Sequence, residues 1–390
     1  MLRFLTAGES HGICLNGILE GLPSGLRIDV VYVNQQLHRR QLGYGRGGRM
    51  KIESDAIQIL AGVRHGFTLG SPISFSIQNR DWQNWQTAMS TDPVPEGSER
   101  RSVVLPRPGH ADLAGALKFH TYDIRDILER ASARETTVRV AAGAFCRLFL
   151  ACFGVNIASH TLAIGEESVS KKYENMQSDS VFAIDPVSPV RCLDPDAAQR
   201  MIALIDRTTE EGDTLGGVSE IVAGPIPPGL GSHIQWDRRL DGHIAQAIMS
   251  IPAVKAVEIG NGVVGARRLG SAVHDEIFYD SEKGRFCRNA NNAGGVEGGI
   301  SNGEDIRVKL HAKPIPTLRN ALGSANIITK ERAKATIERS DVCAVPAVGV
   351  VGEAMLALVL ASAFLDKFGG DSMLEVKNNY SNYLKSVDEY

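Results

Sequence analysis

Residues 354–365 form an apolar run broken only by Ser362, and a run of that kind has to be buried. Its twelve residues are too few to cross a bilayer, which takes about 20. The run therefore predicts a core helix over 348–368, stopped by Gly369 and Gly370. A second segment has the same character. In TTVRVAAGAFCRLFLACF, residues 136–153, Ala, Leu and Phe recur at three- and four-residue spacing, and Gly154 stands where a C-terminal cap belongs. A chain of 390 residues, 43% hydrophobic and 22% charged, has the material for a sizeable core around such helices.

Between them the periodicity changes. LRFLTA and ICLNGILEGLP read as strands, and IQILAGV and PISFSIQ alternate in the β manner. VSEIVAGPI and KAVEIGNGVVGARRL add further strand candidates. SGLRIDVVYVNQQLHRR runs from a turn into a helix, ADLAGALKF looks helical, and 237–251 and 330–338 are expected to be helical as well. Strands and helices are mixed without steady βαβ alternation, which favours α+β over a doubly wound parallel sheet. Residues 80–106 are polar, contain Pro93, Pro95 and Pro106, and read as a long binding loop. The polar segment 371–390 is expected to be a peripheral tail on a single domain spanning 1–370.

The charge balance, 42 − 45 = −3, argues against nucleic-acid binding through the whole surface, but allows a local basic site. Six cysteines with no C-x-x-C pair and no zinc spacing read as free thiols in a reducing compartment, and no metal is expected. The N-terminus carries no signal-peptide pattern, so the expected location is cytoplasmic, with no membrane partner.

The chemistry is concentrated in glycine-rich loops. GESHG at 8–12 places Ser10 and His11 between glycines. It fits G-x-S-x-G, but a nucleophile elbow needs a strand–turn–helix and an upstream oxyanion loop, and only seven residues precede Gly8. GYGRGG at 43–48 is a formal G-x-G-x-x-G that no buried strand precedes. More informative is its charge. Residues 30–52 contain no acid but hold Arg39, Arg40, Arg46, Arg49 and Lys51. Such a run is usually a solvated face. Interleaved with glycines, it also suits bidentate capture of carboxylate or phosphate. RPGHAD sets His110 after a rigid turn and close to a helix start, where anions bind. In RASARET, Ser132 and Glu135 have capping-box spacing ahead of the strong helix. NNAGGVEGGIS at 291–301, KPIPT at 313–317 and RSD at 339–341 complete the set, Arg339 and Asp341 reading either as a surface ion pair or as a phosphate clamp beside a base.

These seven segments, in this order, resemble the chorismate synthase family in its bacterial, monofunctional form. The resemblance implies 1,4-anti elimination of phosphate from 5-enolpyruvylshikimate 3-phosphate, with reduced FMN as cofactor, in aromatic amino-acid biosynthesis. It implies a helical core sandwiched between antiparallel sheets, a homotetramer, and an external flavin reductase or reductant. By motif, the catalytic residues are His11 with Ser10, His110, and Asp341. Arg40, Arg46, Arg49, Arg107, Arg134 and Arg339 would hold the substrate's anions. Arg130, Ala131, Ser132, Pro252, Ala253, Gly298, Lys313, Pro314, Ile315, Pro316, Thr317 and again Arg339 would line the FMN. Pro252 stands where many relatives carry Asn, so a side-chain bond to flavin is lost there. FAD as the flavin, and NADP-type contacts at Arg40 and Arg46, are further expectations. The rivals are a serine hydrolase using Ser10 and an RNA-binding protein using 39–51.

Overall fold

The computed structural model describes residues 2–48, 53–185, 187–282 and 284–390. The two apolar segments are the helices Thr136–Ala151 and Val345–Phe368, and they pack directly on each other. Their approach is close. A Cβ on Gly143 would stand 2.4 Å from the Ala354 Cβ and 2.7 Å from its carbonyl oxygen. Phe145, Phe149 and Phe364 are fully buried around this contact. Each such side chain contributes about 1.5–3 kcal/mol through burial.

Each helix also meets a sheet. The 136–151 helix lies on a four-stranded antiparallel sheet with spatial order Arg3–Ala7, Cys14–Glu20, Ile73–Gln78, Ile57–Ala61. The alternation in Cys14–Glu20 points Leu15, Gly17 and Leu19 inward. Gly17 is needed there: a Cβ would stand 2.4 Å from Phe75 and 2.7 Å from Val138. The 345–368 helix lies on a five-stranded antiparallel sheet, ordered Val254–Ile259, Ile306–Ala312, Gly217–Gly224, Asn156–Ile164, Glu167–Ser168. The class is α+β.

The 345–368 helix has 24 residues, twice the run that predicted it, and by length and composition it could cross a membrane. Within the molecule 78% of its apolar window is buried, so it is a core helix. It starts earlier than predicted because Pro346 sits at its first turn, where proline's missing N–H is tolerated. Its one buried acid, Glu353, is met by Arg39 at 2.7 Å, by Arg147 and by Arg191 at 3.2 Å. Burial alone would raise that carboxyl; the three guanidiniums outweigh it and hold Glu353 well below the carboxylate range. Arg39, first in the basic run, is thus a structural partner.

Several expectations are corrected. Residues 330–338 are not helical. Arg332–Lys334 is a strand paired with Gly323–Ala325, the Lys330 backbone turns left-handed (φ 67°), and the N–H of Thr336 bonds to the carbonyl of Leu105. Tertiary pairing overrides a helix-prone composition there. The strand proposed through KAVEIGNGVVGARRL ends at Ile259, and Gly262–Gly265 is a helical turn. The 237–251 helix is shorter, Leu240–Met249. The 136–151 helix stops two residues early, with Gly154 left-handed behind it (φ 79°). Its expected capping box is absent: Ser132 accepts from the Arg134 N–H, and Glu135 bonds forward to Arg139. Residues 371–390 contain a helix, Met373–Asp388, which does have a capping box, made by Ser372 and Glu375. Val376 is buried, and Tyr380 and Tyr383 pack against Phe368.

Candidate active site

A cavity of about 490 Å³ opens where the loops between these elements converge. It lies beside the first turns of both core helices, with Thr136 from one and Ala347, Val348 and Val351 from the other in its wall. These valines with Ile251, Pro252 and Ala253 are the apolar part of the lining. The same lining carries Arg40, Arg46, Arg107, Arg134 and Arg339.

Ser10 and His11 sit in the turn between the first two strands. That is strand–turn–strand, not the strand–turn–helix of a nucleophile elbow, and the Ser10 hydroxyl donates to Ser132 at 3.1 Å rather than to a histidine. The His11 ring turns instead to Glu129. Its Nδ1 lies 2.9 Å from one carboxylate oxygen, and the His11 N–H donates to the other at 2.8 Å. Arg125 donates to the same carboxylate at 3.0 Å. Burial would raise Glu129, but His11 and Arg125 outweigh it and keep the carboxyl below its ordinary range. An ionised carboxylate at Nδ1 fixes a proton there and leaves Nε2 for a ligand. Trp85 stacks on the ring at 3.9 Å, and Arg101 lies 4.4 Å above Trp85.

His110 repeats the arrangement. Its Nδ1 is 2.5 Å from Asp112 Oδ1, and Asp112 is completely buried. Arg107 grips Asp112 with its backbone N–H, Nε and Nη2, and donates through Nη1 to Thr317 at 3.1 Å. Burial opposes ionisation of Asp112, but the bonds from His110 and Arg107 hold its pKa far below the usual range.

The arginines differ in what already holds them. Arg134 is buried against Asp55 at 2.5 Å and Glu53 at 3.4 Å. Arg40 donates to Thr137 and stays 3.9 Å from Asp55; its buried Nε has no partner among the described residues. Burial, with Arg134 and Arg46 nearby, lowers Arg40 to about 10. Arg46 meets Asp341 at 2.9 Å, and the Gly47 N–H donates to the same carboxylate at 2.7 Å. Gly45, left-handed at φ 79°, accepts from the Val342 N–H and docks this loop on the 339–343 segment. Arg339 reaches Asp81 at 2.7 Å and stays half exposed, so Arg339 and Asp341 pair with different partners rather than with each other. Ala253 is also left-handed (φ 73°), unusual for a residue with a Cβ, and its carbonyl accepts from the Lys313 N–H at 2.9 Å. The Lys313 ammonium donates to the Gly109 carbonyl, which ties KPIPT to the His110 turn.

Most of the residues singled out from the sequence therefore line one cavity. Four do not. Arg49 lies outside the described residues, as does Lys51. Arg130 points away, donating to the carbonyls of Thr6 and Gly8. Gly298 lies between the short paired strands Val296–Glu297 and Ile300–Ser301 and outside the cavity lining, and so does Pro314. The sequence reading missed the carboxylates behind the histidines. Asp112 was inside the quoted RPGHAD motif, two residues from His110, whereas Glu129 is 118 residues from His11.

The chain is similar to known proteins over nearly its whole length. A family model described as chorismate synthase matches residues 2–365. A chorismate synthase of Carboxydothermus hydrogenoformans is 54% identical over 390 residues, covering all of both chains. One of Solibacter usitatus is 52% identical over 393 residues, again with full coverage. A crystal structure of a chorismate synthase superposes with a TM-score of 0.80 at 43% identity, covering 100% of this chain and 99% of that one. None of these names carries FAD or NADP, and nothing supports those two expectations. The chain belongs to the chorismate synthase family, lyases of aromatic amino-acid biosynthesis.

Proposed function

We propose that this cavity binds 5-enolpyruvylshikimate 3-phosphate against its arginine side and reduced FMN against its apolar side, and eliminates phosphate to give chorismate. One observation carries the reading: two histidines, each backed by a buried carboxylate and an arginine, open into the same cavity as five arginines. A substrate with two carboxylates and a phosphate needs that many desolvated, charge-assisted partners. The apolar wall of Ile251, Pro252, Ala253, Val348 and Val351 suits a flat ring system, and the strained Ala253 backbone brings main chain rather than a side chain to it. Main-chain contact does not depend on which side chain stands at 252. When bound, the reduced flavin supplies the electron density that makes loss of phosphate possible.

The protein's own groups do the rest. Arg40, Arg46, Arg107, Arg134 and Arg339 hold anions, Arg49 joining them from outside the described residues; the Arg40 Nε has no partner among the described residues. His11, its Nδ1 proton fixed by Glu129, turns Nε2 to the departing phosphate, with Ser10 beside it. His110 holds a proton at the flavin edge. Asp341, kept in place by Arg46 and the Gly47 N–H, assists removal of the ring proton. Ala131, Ser132 and residues 313–317 line the flavin, with Arg130 and Gly298 at its margin. Residues 1–370 act as one catalytic domain, its helical layer lying between the two sheets, and residues 371–390 brace it. The enzyme works in the cytoplasm as a homotetramer and takes its reduced flavin from a separate reductase. The test is an anaerobic assay following phosphate. Release is expected only when enzyme, reduced FMN and substrate are all present; release no faster than in the enzyme-free control would refute the reading.

A further inference from the structure

Asp112 has two oxygens and four N–H groups directed at them. Oδ2 accepts from the Arg107 backbone N–H at 3.0 Å and from its Nε at 2.8 Å. Oδ1 accepts from Arg107 Nη2 at 3.0 Å and faces His110 Nδ1 at 2.5 Å. The last contact decides the tautomer. Arg107 Nη2 also approaches His110 Nδ1, at 3.1 Å, but an unprotonated Nδ1 that accepted from the arginine would set a lone pair against a carboxylate 2.5 Å away. Nδ1 therefore carries the proton, and Nε2 is the ring atom left for the cavity. The same carboxylate fixes the plane of the Arg107 guanidinium, whose remaining arm reaches Thr317.

We propose that Asp112 is a positioning residue for the elimination: one buried carboxylate sets both the Arg107 fork and the His110 tautomer, so that the anion-holding and flavin-facing sides of the cavity are aligned together. This rests on the roles given above to Arg107 and His110. A carboxylate is required because no neutral side chain of that size accepts from four donors. In Asp112→Asn only one oxygen remains. Placed at the Oδ1 position, it would turn the amide NH₂ against the backbone N–H and Nε of Arg107, which can only donate. Placed at the Oδ2 position, it keeps both of those bonds, loses only the one from Nη2, and turns the NH₂ toward His110 Nδ1, which must then accept. The substitution drives the His110 proton from Nδ1 to Nε2.

The tautomer is read directly by nitrogen NMR on protein labelled at histidine, His110 being the signal lost in His110→Ala. The wild type is expected to show Nδ1–H and Asp112→Asn to show Nε2–H. In the anaerobic assay kcat of Asp112→Asn is expected to fall by roughly 100-fold or more. Asp112→Asn combined with His110→Ala should be little worse than His110→Ala alone, because the asparagine acts through the ring. A wild-type ring protonated at Nε2 overturns the proposal, and that measurement stands even if Asp112→Asn does not fold. A crippled His110→Ala beside an unimpaired Asp112→Asn, or losses that multiply in the double variant, also overturns it while leaving the proposed reaction intact. A normal rate in His110→Ala removes the histidine from the reaction and the proposal with it.

Discussion

Buried guanidinium–carboxylate contacts set the energetics around the cavity, and they decide how much stability each ligand-facing arginine also carries. Arg134 faces Asp55 and Glu53, all three buried. Truncating it removes a buried guanidinium from two buried carboxylates, so Arg134→Ala is expected to lose about 3–5 kcal/mol of stability, measured by urea denaturation. Arg339 is half exposed, and its pair with Asp81 is worth at most about 1 kcal/mol. Arg339→Ala should melt close to the wild type while raising the KM for the enolpyruvyl substrate. His11→Ala and His110→Ala should each stay folded and lose most turnover, roughly 100-fold or more; near-normal chorismate formation in either would remove that residue from the mechanism. The histidines were legible in the sequence because glycine and proline set them apart in loops. Their carboxylate partners were not, since a hydrogen bond across 118 residues, such as His11 to Glu129, leaves no local pattern. Arg39 misled for the same reason: a basic run does not reveal that one member is claimed by Glu353, 314 residues away.

At the level of elements, the crossing of the two core helices is the tightest constraint. Gly143→Leu would drive a side chain into Ala354, at a cost of about 1–3 kcal/mol or more. Thermal denaturation should show a lower Tm, partly restored by adding Ala354→Gly; a Tm unchanged by Gly143→Leu would mean that the helices do not cross there. Both helices were readable because apolar spacing over sixteen or more residues has no other solution in water. The helix Pro195–Glu211 was overlooked despite complete end signals: Asp194 caps its start, Pro195 opens it and Gly212 closes it left-handed. The 330–338 segment failed in the opposite sense, since its backbone partners, Leu105 and Leu322, lie outside any local window. The glycine-rich loop at 43–48 was correctly read as a loop, but its docking onto 339–343 depends on Gly45 and could not be inferred from spacing.

For the molecule as a whole, buried carboxylates predict an acid limit to stability. Asp112, Glu129, Glu220 and Glu353 all have native pKa values below their ordinary ones: burial acts to raise them, and ion pairs and hydrogen bonds outweigh it. Their stabilisation is fully present above the unfolded-state range of about 4. As pH falls below that range the unfolded chain takes up protons that the native one does not, so stability declines toward the depressed native values. Tm should therefore drop steeply below about pH 4, and a Tm as high at pH 3 as at pH 6 would contradict these assignments. The central claim is that one cavity divides its work, with arginines and His11 facing the substrate's anions, and His110 and the 252–253 wall facing the flavin. It is tested most directly by a crystal structure with FMN and the enolpyruvyl substrate both bound. The flavin ring is expected against Pro252 and Ala253 with His110 at its edge, and the phosphate within hydrogen-bonding reach of His11. A flavin bound elsewhere, or a phosphate far from His11, would contradict it.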